Sequence, residues 1–180
     1  LGKLVNVEKA ITMSFKKSKS NIIMIGSRKD ELGGSLYYSL YDELGANVPN
    51  PKLEEVKDQI FAITDCVDNN LIQSCHDISD GGVAVALSEM SFGNDIGCVV
   101  NIPGDLAQEK LLFSETGGFL VEVIDSNIER LKHIFKNHNV DFYLIGKTSE
   151  IDEILINDKI HLNVEEAKDL WLNGLRNKIK

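Results

Sequence analysis

Apolar positions recur along this chain with two different periods. Ile22-Ile23-Met24-Ile25-Gly26 is an unbroken apolar run and predicts a buried strand. Cys98-Val99-Val100-Asn101-Ile102, Phe119-Leu120-Val121-Glu122-Val123 and Phe142-Tyr143-Leu144-Ile145-Gly146 predict three more, with a short strand at Ile72 to Cys75. Ile154-Leu155-Ile156 and Lys159-Ile160-His161-Leu162 flank Asn157-Asp158, a hairpin turn pair. Elsewhere the spacing is helical. Leu53, Val56, Ile60, Ile63 and Val67 mark the buried face of a helix reaching about Asn69, with Asn50 as N-cap and Pro51 at the first helical position. Val83, Ala86, Leu87 and Met90 mark a second helix; Ile128, Leu131, Ile134 and Phe135 mark a third, capped by Asn127. Asn163 with Glu166 resembles a capping box and opens a last helix that buries Val164, Ala167, Trp171 and Leu175. Helices and strands interleave, and the late hairpin breaks strict β-α-β order. The prediction is an α+β domain: a mixed β-sheet with packed helices.

With 180 residues the chain has room for one domain, 1–180. It begins Leu1-Gly2 without methionine, which reads as part of something longer, with residues 1–20 as a link from a preceding domain. A net charge of −9 argues against nucleic-acid and anionic-membrane partners, which need a basic patch. No apolar run approaches the ~20 residues of a membrane span, and no signal peptide is evident. Cys66, Cys75 and Cys98 have no C-x-x-C spacing and read as free core thiols in a reducing, cytoplasmic setting.

Three stretches carry candidate chemistry. In His76-Asp77-Ile78-Ser79-Asp80-Gly81-Gly82 a polar, glycine-paired loop opens onto a helix N-terminus, where free N–H groups and the helix dipole favour anions. Asp77 and Asp80 are spaced to share Mg²⁺ with a phosphate, or else to bond their own turn and cap the helix. Ser79 suits a cap or a phosphate contact. Gly81 and Gly82 weaken a helix start by roughly 1 kcal/mol each, a cost that close approach of a ligand to the backbone would explain. His76 fits a structural hydrogen bond at a strand end better than a general acid or base. The other stretches are Leu112-Phe113-Ser114-Glu115-Thr116-Gly117-Gly118, before a strand, and Asp30-Glu31-Leu32-Gly33-Gly34-Ser35, with Ser35 placed to cap a helix. None is a P-loop or Rossmann fingerprint.

His76 to Met90 resembles the H-D-[VI]-S-D-G-G-L-A-V-A-L-A-E-M signature in the last domain of the phosphoribosylformylglycinamidine synthase large-subunit family. Leu112 to Glu115 resembles that family's L-F-S-E, and Asp30 to Ser35 its D-E-L-G-G-S, in the family's order. The resemblance implies an aminoimidazole-ribonucleotide-synthetase C-terminal-type fold, the second B domain of a four-domain enzyme. It implies a ligase of purine biosynthesis that activates the amide oxygen of formylglycinamide ribonucleotide with ATP. Ammonia from a glutaminase subunit or domain then displaces phosphate to give the amidine. Most ATP and Mg²⁺ ligands, and the family's catalytic histidine, belong to domains other than this one. Catalysis is therefore assigned to no residue here. Asp77, Ser79, Asp80, Gly81, Gly82 and Glu115 are the candidate substrate and phosphate contacts, and no metal ligand is assigned. Changing Asp80 to Asn or Gly81 to Val is expected to impair substrate use with little loss of folding. One departure stands out: where the family often carries arginine after the S-E-[ST]-x-G turn, this chain has Gly118. A sister ATP-dependent enzyme (aminoimidazole ribonucleotide synthetase, thiamine-phosphate kinase or hydrogenase maturation type) and a non-catalytic scaffold domain are the alternatives.

Overall fold

Strand β1 (Asn21–Ile25) is buried at every residue because it lies inside the sheet with helices on both faces. In the computed structural model the described residues are 6–178, with the side chains of Leu175, Asn177 and Lys178 outside them. The other strands are β2 (Ser74–Asp77), β3 (Gly97–Val100), β4 (Phe119–Val123), β5 (Phe142–Ser149), β6 (Glu153–Ile156) and β7 (Ile160–Asn163). They form one seven-stranded sheet in the order β2-β4-β1-β5-β3-β6-β7. Every neighbouring pair is antiparallel except β3 and β6. The helices are α1 (Leu36–Ser39), α2 (Leu53–Asp68), α3 (Gly82–Phe92), α4 (Gln108–Phe113), α5 (Ile128–Asn137) and α6 (Val164–Lys178).

Alternation along β1 divides its side chains between two cores. Ile22 and Met24 pack with α3, α4 and the start of α6, through Val83, Leu87, Met90, Leu111, Leu112 and Val164. Ile23 and Ile25 pack with α2 and α5, through Ala62, Cys66, Leu131 and Phe135. Each fully buried Ile or Leu contributes roughly 1.5–3 kcal/mol, so both faces hold the sheet. The predicted α+β class, the strands and the hairpin are all present. Asn157 and Asp158 both take positive φ (51° and 52°) in a three-residue loop, 157–159, closed by the Lys159 N–H donating to Ile156 O (3.0 Å).

Several local expectations need correction. Helix α2 begins at Leu53, with Lys52 as an N-cap that makes no side-chain bond. Asn50 is held out of the helix because its N–H donates to Glu31 Oε1 (3.4 Å) and Pro51 restricts it to extended backbone. The expected face of α2 holds in part: Ile63 packs against the core, and Val56 and Val67 are half-buried. Leu53 is 79% exposed and Ile60 47%, whereas Ala62 and Cys66 are buried. Asn127 occupies the N-cap position of α5 as expected but makes no side-chain cap bond; its Nδ2 donates to Asn70 O (3.3 Å) and Leu71 O (3.2 Å). On α6, Asn163 does accept the Glu166 N–H (3.1 Å) and Val164 is buried, but Trp171 is 52% exposed. Leu175, expected in the core, lies outside the described side chains. The three thiols are free and pushed up to about 12 by burial, consistent with core packing.

A buried carboxylate in β4 ties down the segment before β1. Glu122 is 0% exposed. It accepts from the Lys16 N–H (2.7 Å), the Lys17 N–H (3.0 Å) and Ser74 Oγ (3.0 Å), while Phe15 enters the core. Glu122→Gln should lower folding stability by about 2 kcal/mol, because one acceptor of a charge-assisted set becomes a donor facing donors. Urea unfolding measures it; an unchanged midpoint would show that the N-terminal segment is not anchored there.

Candidate functional site

The three motif stretches lie far apart in sequence and converge at one end of the sheet. The ends of β1 and β2 and the start of β4 meet there, joined by backbone bonds such as Ile78 N–H to Gly118 O (2.9 Å). Glu115 is the shared point. Its Oε1 accepts the Gly81 N–H (2.9 Å) from the loop before α3 and the Leu36 N–H (2.8 Å) from the start of α1. One carboxylate oxygen thus ties the first and second stretches to Leu36, the residue directly after the third. It also sits at the positive end of α3, where a negative charge is favoured.

Two more bonds close the seam between the second and third stretches. Ser114 Oγ donates to Lys29 O (2.8 Å), and Thr116 Oγ1 donates to Glu31 Oε2 (2.8 Å). Asp30 is paired with Lys110 (2.7 Å). Ser35 caps α1 as expected, accepting the Tyr38 N–H (3.3 Å).

The loop from Asp77 to Gly82 separates exposed side chains from a buried backbone. Asp77, Ser79 and Asp80 are exposed, and Gly81 and Gly82 are buried. Neither Ser79 nor Asp80 caps the helix: the N-cap of α3 is Gly81, without a side-chain cap bond. Among the described residues no protein group bonds the side chains of Ser79 and Asp80, so both can meet a ligand. The two glycines are needed by the fold itself. Gly81 has φ +76°, and a Cβ there would stand 2.3 Å from Val85 Cγ2. Gly82 has φ +67°, and a Cβ there would stand 2.7 Å from Leu112 O and 2.9 Å from Phe113 Cα. The expectation that Gly81→Val spares folding is therefore overturned, since valine in this conformation is strained and overlaps its neighbour.

His76 is structural in its contacts. Its Nε2 lies 3.0 Å from Glu89 Oε2 and its Nδ1 lies 3.3 Å from Asp77 Oδ1. Glu89 Oε1 also accepts from Trp171 Nε1 (2.9 Å), so the histidine links β2, α3 and α6. Among the described residues no group of three or more His, Cys, Asp and Glu side chains could hold a metal ion. No helix among the described residues is long and apolar enough to cross a membrane.

Arg28 stands outside the three motif stretches. It follows β1 and is 8% exposed. Its Nη1 donates to Thr116 O (2.6 Å) and its Nη2 to Gly117 O (2.7 Å). The guanidinium lies against the turn where the family often has arginine: a Cβ on Gly118 would stand 3.0 Å from Arg28 Nη2. A different part of the chain fills that space. Sequence offered only the absence of arginine at 118 as a signal.

The family described as AIR synthase related protein, C-terminal domain, matches residues 20–156. A phosphoribosylformylglycinamidine synthase subunit PurL from Methanothrix thermoacetophila is 36% identical over 98% of this chain and 24% of its own length. One from Thermococcus sibiricus is 36% identical over 95% of this chain, again 24% of its own length. The chain therefore spans about a quarter of these curated relatives. Among solved structures, T. maritima PurL complexed with FGAR superposes with a TM-score of 0.77 at 18% identity, covering 90% of this chain and 30% of that one.

Proposed function

Because the chain belongs to the AIR synthase related C-terminal domain family, we propose that it is the last domain of a phosphoribosylformylglycinamidine synthase. In this reading the longer enzyme converts formylglycinamide ribonucleotide, ATP and glutamine-derived ammonia to formylglycinamidine ribonucleotide, in the cytoplasm. The observation that carries the reading is the convergence of three matched motifs around Glu115 and Thr116, together with relatives of that name aligned along nearly the whole chain. A chain spanning a quarter of those relatives supplies one wall of a cleft, and preceding domains of the same polypeptide supply the facing wall.

Each residue then has a part. Asp77, Ser79 and Asp80 present exposed acceptors and a hydroxyl to the ribonucleotide. Gly81 and Gly82 bring backbone close to it, and Glu115 fixes the relative position of the loops. As the family resemblance implies, ATP and Mg²⁺ are held mostly by the preceding domains. ATP supplies phosphoryl activation of the amide oxygen. The residues of this chain bind and orient, and none is a catalytic acid or base. A glutaminase subunit or domain is the partner that delivers ammonia.

The test is an ammonia-dependent assay with formylglycinamide ribonucleotide and ATP. The 180-residue chain alone should give no product, and the longer enzyme should. Asp80→Asn in the longer enzyme should lower kcat/KM about tenfold with an unchanged melting temperature, the loss of one charged contact. Turnover by the isolated chain, or full activity in Asp80→Asn, would overturn this assignment of roles.

A further inference from the structure

We propose that Arg28 is a positioning residue that sets the Thr116-Gly117-Gly118 turn as a binding site for a phosphate group. The proposal rests on the reading above, that this end of the sheet faces the substrate. All peptide bonds among the described residues are trans, so each N–H points opposite to its C=O. Holding Thr116 O and Gly117 O on the guanidinium therefore turns the N–H groups of Gly117 and Gly118 away from it. Among the described residues, no carbonyl or side chain accepts from either N–H. Adjacent backbone donors with no protein acceptor form the kind of concavity that takes up anions.

Two further features fit a ligand. Gly117 lines a cavity of about 600 Å³, and a Cβ on it would meet nothing within 4 Å. Arg28 Nε is itself buried without a partner. Burial pushes Arg28 down to about 10, so the guanidinium is still a cation at neutral pH behind the turn.

The carboxylates nearby are mostly engaged. Glu31 accepts from Thr116 Oγ1 and the Asn50 N–H, Glu115 from two backbone N–H groups, and Glu55 pairs with Lys52 and Lys29. Asp58 and Asp141 also line the cavity and oppose an anion. Binding of a free phosphate should therefore be weak, about millimolar.

The experiment follows the backbone amides of the 180-residue chain by two-dimensional NMR during titration with inorganic phosphate, ribose 5-phosphate and ADP. The Gly117 and Gly118 amides should shift saturably. Arg28→Lys, which cannot bridge both carbonyls in the same way, and Gly117→Ala should each weaken binding about tenfold while the rest of the spectrum is kept. Tighter binding of ribose 5-phosphate assigns the site to the ribonucleotide; tighter binding of ADP assigns it to the nucleotide. Silence of both amides with all three probes, or unchanged affinity in both variants, would overturn the proposal. Ligase activity of the longer enzyme is a separate measurement. Its failure would remove the functional reading and leave a phosphate site at this turn standing.

Discussion

Gly82→Ala is expected to lower folding stability by about 3 kcal/mol. Two effects add. Alanine in the left-handed region costs about 1–2 kcal/mol relative to glycine. The new methyl also meets backbone, Leu112 O at 2.7 Å and Phe113 Cα at 2.9 Å, which no rotamer change can relieve. Overpacking of that kind costs about 1–3 kcal/mol. For a domain of this size the melting temperature should fall by about 6–12 °C. Gly117→Ala is the internal control, since its Cβ meets nothing within 4 Å and should leave melting nearly unchanged. Equal melting of the two variants would show that the start of α3 can shift away from α4, and that Gly82 serves only the ligand.

The contrast between these glycines marks what the chain discloses when read in one dimension. Its strands were legible because β1 and β4 are buried through nearly their whole length, so apolar runs coincide with elements. The hairpin was legible because Asn157-Asp158 tolerates positive φ in both residues. The packing face of α2 was legible only in part. Its apolar residues surround the helix, and only contact with the sheet decides that Ala62 and Cys66 face inward while Leu53 faces out. At the site, motif spacing located the loops but not their joints. Gly81 meets Glu115 across 34 residues and Arg28 meets the turn across 88, contacts that no local pattern encodes. In sequence the paired glycines signal room for a ligand. Their positive φ and backbone contacts make them a folding requirement as well.

Glu115→Ala in the longer enzyme is expected to reduce kcat/KM about a hundredfold. The carboxylate accepts two backbone N–H groups from two different loops, and charge-assisted bonds of this kind are worth about 1.5–3 kcal/mol each. Part of that appears as stability, because Gly81 is buried and its N–H would lose its acceptor. The remainder appears as misplacement of Asp77, Ser79 and Asp80 relative to the turn at Thr116. A loss of about 2.7 kcal/mol in positioning corresponds to the hundredfold effect. Glu115→Gln separates the two contributions. It keeps an oxygen that can accept both N–H groups but removes the charge beside the α3 dipole, so stability should stay close to that of the parent while kcat/KM falls about tenfold. If Ala and Gln lost stability together and kept kcat/KM, the carboxylate would be a staple of the fold alone. If activity fell in the order parent, Gln, Ala while only Ala melted early, Glu115 would be the residue that makes three separate loops one surface.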